Sequence, residues 1–340
     1  MNYKKMVKED PLTLTILPTH KCTASCKNCC FGCNPKVSHI MPYEEMVYHI
    51  DEAVKHFSTL SVLVISGGEC FLLGEDLDRI IHYATKKGLS TRVVTNGYWA
   101  ISYESAFERI HSLVSNGLKE FNLSTGDDHQ KYIKLENIIN ATKAAIDAGL
   151  PTVYIAVESH VHADFTADTL KSNPQISEYI ETGHVSILPG SWIKFKNHTD
   201  DSNLSECNCR YTSDQAEDGC NSLFKNIAIN PYSELLACCG LTVEYNEFLK
   251  LGNLRRYSMQ DLYNAQFEDA YKLWLYVLGP KHIYDSVMKF RKLKPQEFVH
   301  TCAYCIEAIK DSDNIDAIKK ILPSELPNIL YQLETQNLIK

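Results

Sequence analysis

Positive charge, long apolar runs and any export signal are scarce in this sequence. Lys and Arg total 34 against 42 Asp and Glu, a formal net charge of -8. A chain with that balance has no global attraction for a polyanion, so nucleic acid is not expected as substrate or partner. No apolar run reaches the length that spans a bilayer, and no membrane partner is expected. The opening, MNYKKMVKEDPLTL, has neither an apolar signal core nor a small-residue cleavage site. A cytoplasmic location is the expectation, where thiols are kept reduced. Internal repeats and low-complexity segments are also lacking. Cysteine, by contrast, is abundant: 13 residues, an odd count that rules out complete pairing. In a reducing compartment such a number points to metal or redox chemistry rather than to disulfides.

The first two hundred residues alternate strand-like and helix-like patterns. Strand-like runs fall at Leu12–Pro18, Leu60–Ser66, Ser90–Asn96, Glu120–Ser124, Thr152–Val157 and Val185–Leu188. Helix-like segments at Pro42–Phe57, Gly74–Lys87, Ser102–Asn116 and Leu135–Asp147 lie between them, three with glycine at or just beyond the end. Strands joined by crossover helices predict a parallel sheet, here an α/β fold of six strands in an open or partial barrel. Functional groups then belong on the loops after the strands. Near His198 the pattern gives way to a polar, cysteine-bearing linker, which predicts two domains, 1–197 and 198–340. A hairpin-like segment at Lys225–Cys239, helices at Ser258–Leu278 and Lys281–Leu293, the pair Cys302 and Cys305, and a helical tail complete the second.

The stretch HKCTASCKNCCFGC places five cysteines within twelve positions, directly after the first strand. Cys22, Cys26 and Cys29 are spaced to wrap an iron–sulfur cube with three thiolates. Such clusters are ordinarily held by four, so three leave one iron open to a substrate or cofactor. Two short Cys-x2-Cys pairs could instead close a tetrahedral zinc site. Cys30 and Cys33 are expected to be small buried residues. After the second strand comes Gly67-Gly68-Glu69-Cys70, where two glycines permit close backbone approach to a ligand and Glu69 offers a carboxylate to an ammonium group.

Together with Thr95-Asn96-Gly97 after the third strand and Ser124 at the end of the fourth, these motifs resemble the radical S-adenosylmethionine (SAM) superfamily over roughly residues 10–195. The resemblance implies a partial (β/α)6 barrel with a [4Fe-4S] cluster on Cys22, Cys26 and Cys29, and SAM bound at the open iron. It implies that Glu69, with Gly67 and Gly68, holds the methionyl amine, and that Asn96 and Ser124 contact the rest of SAM. The reduced cluster then splits SAM into methionine and a 5'-deoxyadenosyl radical. Two positions depart from the pattern: Asn28 stands where an aromatic residue often precedes the third cysteine, and Cys70 where proline often follows the Gly-Gly-Glu. Neither position is a ligand.

Cys220, the doublet Cys238-Cys239, and Cys302 with Cys305 form a second group. Their order resembles the auxiliary-cluster extensions (SPASM or its shortened form) of peptide-modifying radical SAM enzymes. It implies a second, auxiliary [4Fe-4S] cluster on Cys220, Cys238, Cys302 and Cys305. A zinc ribbon is the alternative, and Cys207 and Cys209 could replace two of the ligands. If Cys238 is a ligand, Cys239 is left as a candidate hydrogen-atom donor. The overall layout, with the Asp128–His129 pair, resembles the radical SAM peptide epimerases that make epipeptides. That implies a ribosomally made precursor peptide as substrate, L-to-D epimerisation with Cys239 as the catalytic thiol, and an external electron donor such as a flavodoxin or ferredoxin. Thioether or carbon–carbon crosslinking of a peptide is the nearest alternative, and a non-catalytic zinc-binding interaction protein is one of another class. Asp127, Asp128 and His129 read equally as substrate contacts or as a solvated loop. With about a dozen residues before the first strand, leader recognition is expected to use the core or the carboxyl-terminal helices.

Overall fold

The computed structural model describes residues 3–7, 9–159, 162–191, 193 and 219–339. These fall into two units. One holds the described residues between Leu12 and Cys209 together with Ile229–Tyr232; the other holds those of Met1–Pro11, Arg210–Ala228 and Ser233–Lys340.

The first unit is built on six strands: β1 Thr13–Ile16, β2 Val62–Ile65, β3 Ser90–Thr95, β4 Leu118–Gly126, β5 Val153–Ser159 and β6 Val185–Ser191. They run parallel in the spatial order of the sequence, from β1 to β6. This is the α/β partial barrel expected from the strand–helix alternation, and every strand lies within two residues or so of its predicted run. The connecting helices Tyr43–His56, Glu75–Lys86, Tyr103–Ser115 and Leu135–Asp147 each bury one face, with Met46, Ile80, Ile110 and Ala141 among the wholly enclosed residues. Ser102 and Ser105 cap the third of these helices reciprocally. Two short helices before β6, Ala167–Lys171 and Pro174–Glu181, are additions to the predicted pattern.

Parallel sheets covered on both faces read as continuous apolar runs. Here β4 and β5 alternate instead. Phe121, Leu123 and Thr125, and Val153, Ile155 and Val157, are buried, while Asn122, Ser124, Tyr154, Ala156 and Glu158 are only half-buried. One face of the sheet therefore packs on helices, and the other is an open, polar concavity. Arg92 and Glu120, in register on neighbouring strands of that face, are joined by a 2.8 Å hydrogen bond.

The second unit contains β7 Asn226–Ile229 as far as Ala228, β8 Glu234–Leu236 and β9 Lys250–Asn253, with β8 and β9 antiparallel. Its core is aromatic: Trp274, Tyr263, Tyr284, Tyr304, Phe224 and Phe267 are all fully enclosed. The amino terminus belongs here because Tyr3 N–H donates to the Phe267 carbonyl at 2.9 Å and Tyr276 Oη donates to Glu9 at 3.1 Å. The predicted helix Ser258–Leu278 is two helices, Met259–Ala265 and one opening at Ala270, where Asp269 accepts from Tyr271 N–H as a cap. The second runs to Phe290 across a break at Gly279-Pro280, as the sequence anticipated. Among the described residues no helix is long and apolar enough to cross a membrane.

Candidate active site

The loop after β1 carries Cys22, Cys26 and Cys29 without regular structure, and is closed at its base by backbone bonds. Cys22 N–H donates to the Asn34 carbonyl at 3.2 Å, and Asn34 N–H donates to His20 at 3.3 Å. Cys22, Ala24 and Cys33 form a small buried cluster, with Cys26, Cys29 and Phe31 packed against it. Cys33 is thus buried as expected, whereas Cys30 is only half-buried. Donors are aimed at the sulfurs. Cys22 Sγ accepts from Ala24 N–H and from Asn96 Nδ2, each at 3.4 Å, and Cys29 Sγ accepts from Cys33 N–H at 3.4 Å. Hydrogen bonds from the Cys33 thiol and from backbone N–H groups bring the Cys29 thiol down to about 6, against the effect of burial. Burial raises Cys22 to about 11 and pushes Cys26 up as well. Two of the three sulfurs meet N–H donors, which suits thiolate ligands, so these residues fit a cluster held by three thiolates.

The glycines after β2 serve a purpose the sequence did not reveal. Gly68 N–H donates to the Thr19 carbonyl at 2.7 Å, and Glu69 N–H donates to Lys21 at 2.9 Å. A Cβ on Gly68 would lie 2.1 Å from the Lys21 carbonyl oxygen, and one on Gly67 2.6 Å from that of Thr19. The close approach they allow is to the chain's own cysteine loop. Glu69 is wholly buried. Its Oε1 accepts from Phe71 N–H (3.0 Å) and Thr95 Oγ1 (2.7 Å), and its Oε2 accepts from Asn96 N–H (2.9 Å). About four acceptor directions exist on a carboxylate, so roughly one remains for a further donor. Burial raises its carboxyl to about 7 even against these three donors.

Asn96 spends its side-chain amide on Cys22 Sγ and on Thr23 Oγ1 (3.1 Å). Ser124 lies half-buried on the concave face of β4, in register with Ala156. Asp128 is buried and reaches the cysteine loop, while Asp127 accepts from Phe165 N–H at 2.7 Å. Neither is merely a solvated loop residue. Sequence reasoning gave Thr95 no role of its own and passed over Tyr132 and Glu158. Glu158 stands on the concave face between Gly126 of β4 and Gly190 of β6, its register partners. Burial pushes its carboxyl up to about 8, and Nδ1 of His129, pulled down to about 4 by burial, lies 3.7 Å from its Oε2. Its place at the end of the β5 run was the available signal.

The second unit gathers Cys220, Cys238, Cys239, Cys302 and Cys305 around one cavity of about 590 Å³. Cys302 and Cys305 share a face of the helix Thr301–Glu307, one turn apart, where the sequence reading had only a pair between helices. A Cβ on Gly240 would sit 3.2 Å from Cys302 Sγ and 3.4 Å from Cys238 Sγ, so both sulfurs flank one point. Gly240 N–H donates to Cys238 Sγ at 3.5 Å, and Asn246 Nδ2 donates to Cys305 Sγ at 3.3 Å. Burial raises the Cys302 thiol to about 12 and Cys238 and Cys305 likewise upward. Cys239 is exposed. Cys207 and Cys209 lie outside the described residues. Among the described residues no group of three His, Cys, Asp or Glu side chains is already placed to hold a single metal ion.

Residues 16–165 match the model of the radical SAM superfamily. The putative peptide biosynthesis protein YydG of Bacillus subtilis (strain 168) is 27% identical over 128 residues, 38% of this chain and 40% of that protein. The match thus spans two fifths of the relative's length. Native anSMEcpe with bound AdoMet shares the fold, with a TM-score of 0.54 and 14% identity over 94% of this chain and 100% of that one. The same enzyme with AdoMet and the Cp18Cys peptide gives 0.53 and 14%, over 94% and 99%.

Two outcomes follow from the geometry. Gly68→Ala should destabilise the protein by more than about 1 kcal/mol in urea unfolding, because the new Cβ meets the Lys21 carbonyl oxygen, which the Glu69 N–H holds in place. A wild-type midpoint would contradict the packing described. Glu69 binds its proton more tightly folded (about 7) than its ordinary 4.5, so its protonation stabilises the fold below that ordinary value and the gain is lost as pH rises to about 7. Urea titrations across that window should show wild type losing stability relative to Glu69→Gln; parallel curves would refute the shift.

Proposed function

We propose, from the premise that this chain carries a radical SAM domain, that it modifies a ribosomally made peptide, converting L- to D-residues. Supporting the premise is the family match over residues 16–165; that family implies a [4Fe-4S] cluster and SAM. The observation that carries the reading is the three-cysteine loop at the carboxyl edge of a parallel sheet, in which the Cys22 and Cys29 sulfurs accept N–H donors. Peptide as the substrate class is supported by the relative named for peptide biosynthesis and by a similar fold seen with a bound peptide.

Cys22, Cys26 and Cys29 would hold the cluster, with Asn96 donating to the Cys22 sulfur. Glu69 has about one acceptor direction left for the methionyl ammonium, beside the Gly67-Gly68 backbone, and Ser124 faces the concavity where the rest of SAM and the peptide would lie. Bound there, the cluster and SAM supply a 5'-deoxyadenosyl radical, which removes the α-hydrogen of a peptide residue. Cys239 would return a hydrogen atom from the opposite face, its S–H bond breaking as the new C–H bond forms. An external one-electron donor, a flavodoxin or ferredoxin, and one proton then restore the thiol. Cys220, Cys238, Cys302 and Cys305 would hold an auxiliary cluster. They line one cavity, and two of their sulfurs accept N–H donors.

Anaerobic turnover, in D2O, of a short precursor peptide sought among the neighbouring genes tests this. Each modified residue should gain one deuterium, and Cys239→Ala should still release 5'-deoxyadenosine without completing the D-residue. Loss of two hydrogens from the peptide would establish crosslinking instead. Normal epimerisation by Cys239→Ala would remove that thiol from the mechanism.

A further inference from the structure

The short helix Asp127–Gln130 follows β4 directly and is tied to three places at once. Asp127 accepts from Asp164 and Phe165 N–H beyond β5, and Gln130 donates back to Thr125 Oγ1 at 2.8 Å. Asp128 turns toward the cysteine loop. Its Oδ2 accepts from both the backbone N–H (3.3 Å) and the side-chain Nδ2 (3.4 Å) of Asn28, while its Oδ1 accepts from Lys131 Nζ at 2.6 Å. Tyr132 Oη donates to the Ser25 carbonyl at 2.8 Å. Two contacts from one segment thus reach the loop on either side of Cys26, one residue before it and one before Cys29.

We infer that Asp128 and Tyr132 are positioning residues that clamp the three-cysteine loop, with Asn28 as the receiving residue. Asn28 is buried between two of the three cysteines, and both of its donor groups go to one carboxylate that is itself buried. A hydrophobic side chain at this position would leave only the backbone N–H to donate; an asparagine adds a second donor, provided a carboxylate is brought to it. The departure of Asn28 from the aromatic pattern and the burial of Asp128 a hundred positions later are therefore two halves of one device. It fixes the span Ser25–Asn28 at both ends. Partners outside the ligand set commonly change metal affinity 10–100-fold when removed. The inference rests on the reading that Cys22, Cys26 and Cys29 hold a cluster.

The test is iron release to a ferrous chelator from the anaerobically reconstituted full chain, read with the electron paramagnetic resonance line shape before and after SAM. Asp128→Ala should lose iron about tenfold faster from the SAM-responsive cluster. Asp128→Asn keeps an oxygen that accepts from Asn28 N–H and should return the rate close to wild type. Tyr132→Phe, a change too mild to unfold the chain, should also accelerate the loss. Wild-type rates in both Asp128→Ala and Tyr132→Phe would overturn the clamp. Equal acceleration in Asp128→Ala and Asp128→Asn would overturn it too, by making charge rather than the hydrogen bond the cause. A wild-type chain that takes up no iron would sink the cluster reading itself, a result distinct from either.

Discussion

Two backbone hydrogen bonds, from Gly68 to Thr19 and from Glu69 to Lys21, decide where the cysteine loop leaves the sheet. They exist because neither Gly67 nor Gly68 carries a Cβ, which would collide with the carbonyls that accept them. Everything at the mouth of the barrel is referred to that junction. The turn places Glu69 inside, Glu69 fixes Thr95 and the backbone of Asn96, and Asn96 reaches Cys22 Sγ. The ends of β1, β2 and β3 are thereby joined into one hydrogen-bonded unit, and the segment after β4 adds Asp128 and Tyr132. A parallel sheet brings all these loops to one edge, which is why residues so far apart in sequence can serve a single loop.

Within the carboxyl-terminal unit the same chemistry recurs on a different frame. A hairpin and a helix, rather than successive strand ends, bring the sulfurs around a cavity, and donors from Gly240 and Asn246 meet them. The shared feature is a buried sulfur given an N–H donor, an arrangement that compensates thiolate charge where water cannot.

Much of this was legible in the sequence. Strand and helix alternation, the parallel order and the break at Gly279-Pro280 follow from local periodicity and from residues that fix φ. Cys22, Cys26 and Cys29 stood out as candidate ligands from their spacing, because chelation by neighbouring residues is a local property. The helices Ala167–Lys171 and Pro174–Glu181 were not found, being too short for a periodic signal, and β9 is four half-buried residues without clear alternation. The helical setting of Cys302 and Cys305 was hidden because two cysteines a turn apart read equally as a loop. At the site, what escaped was every long-range pairing. The packing of Gly68 on Lys21 was not readable because the two lie 47 positions apart. Asp128 and Asn28 are a hundred apart, and only sheet register places Glu158 between Gly126 and Gly190.

The account turns on three thiolates leaving one iron open to SAM. Electron paramagnetic resonance of the dithionite-reduced, oxygen-free protein, recorded before and after SAM is added, tests that most directly. The account predicts a [4Fe-4S] signal whose line shape changes on SAM binding and which is absent when Cys22, Cys26 and Cys29 are replaced together by alanine. Reduced protein in which no signal responds to SAM, or a SAM-responsive signal that survives the loss of those three cysteines, would contradict it.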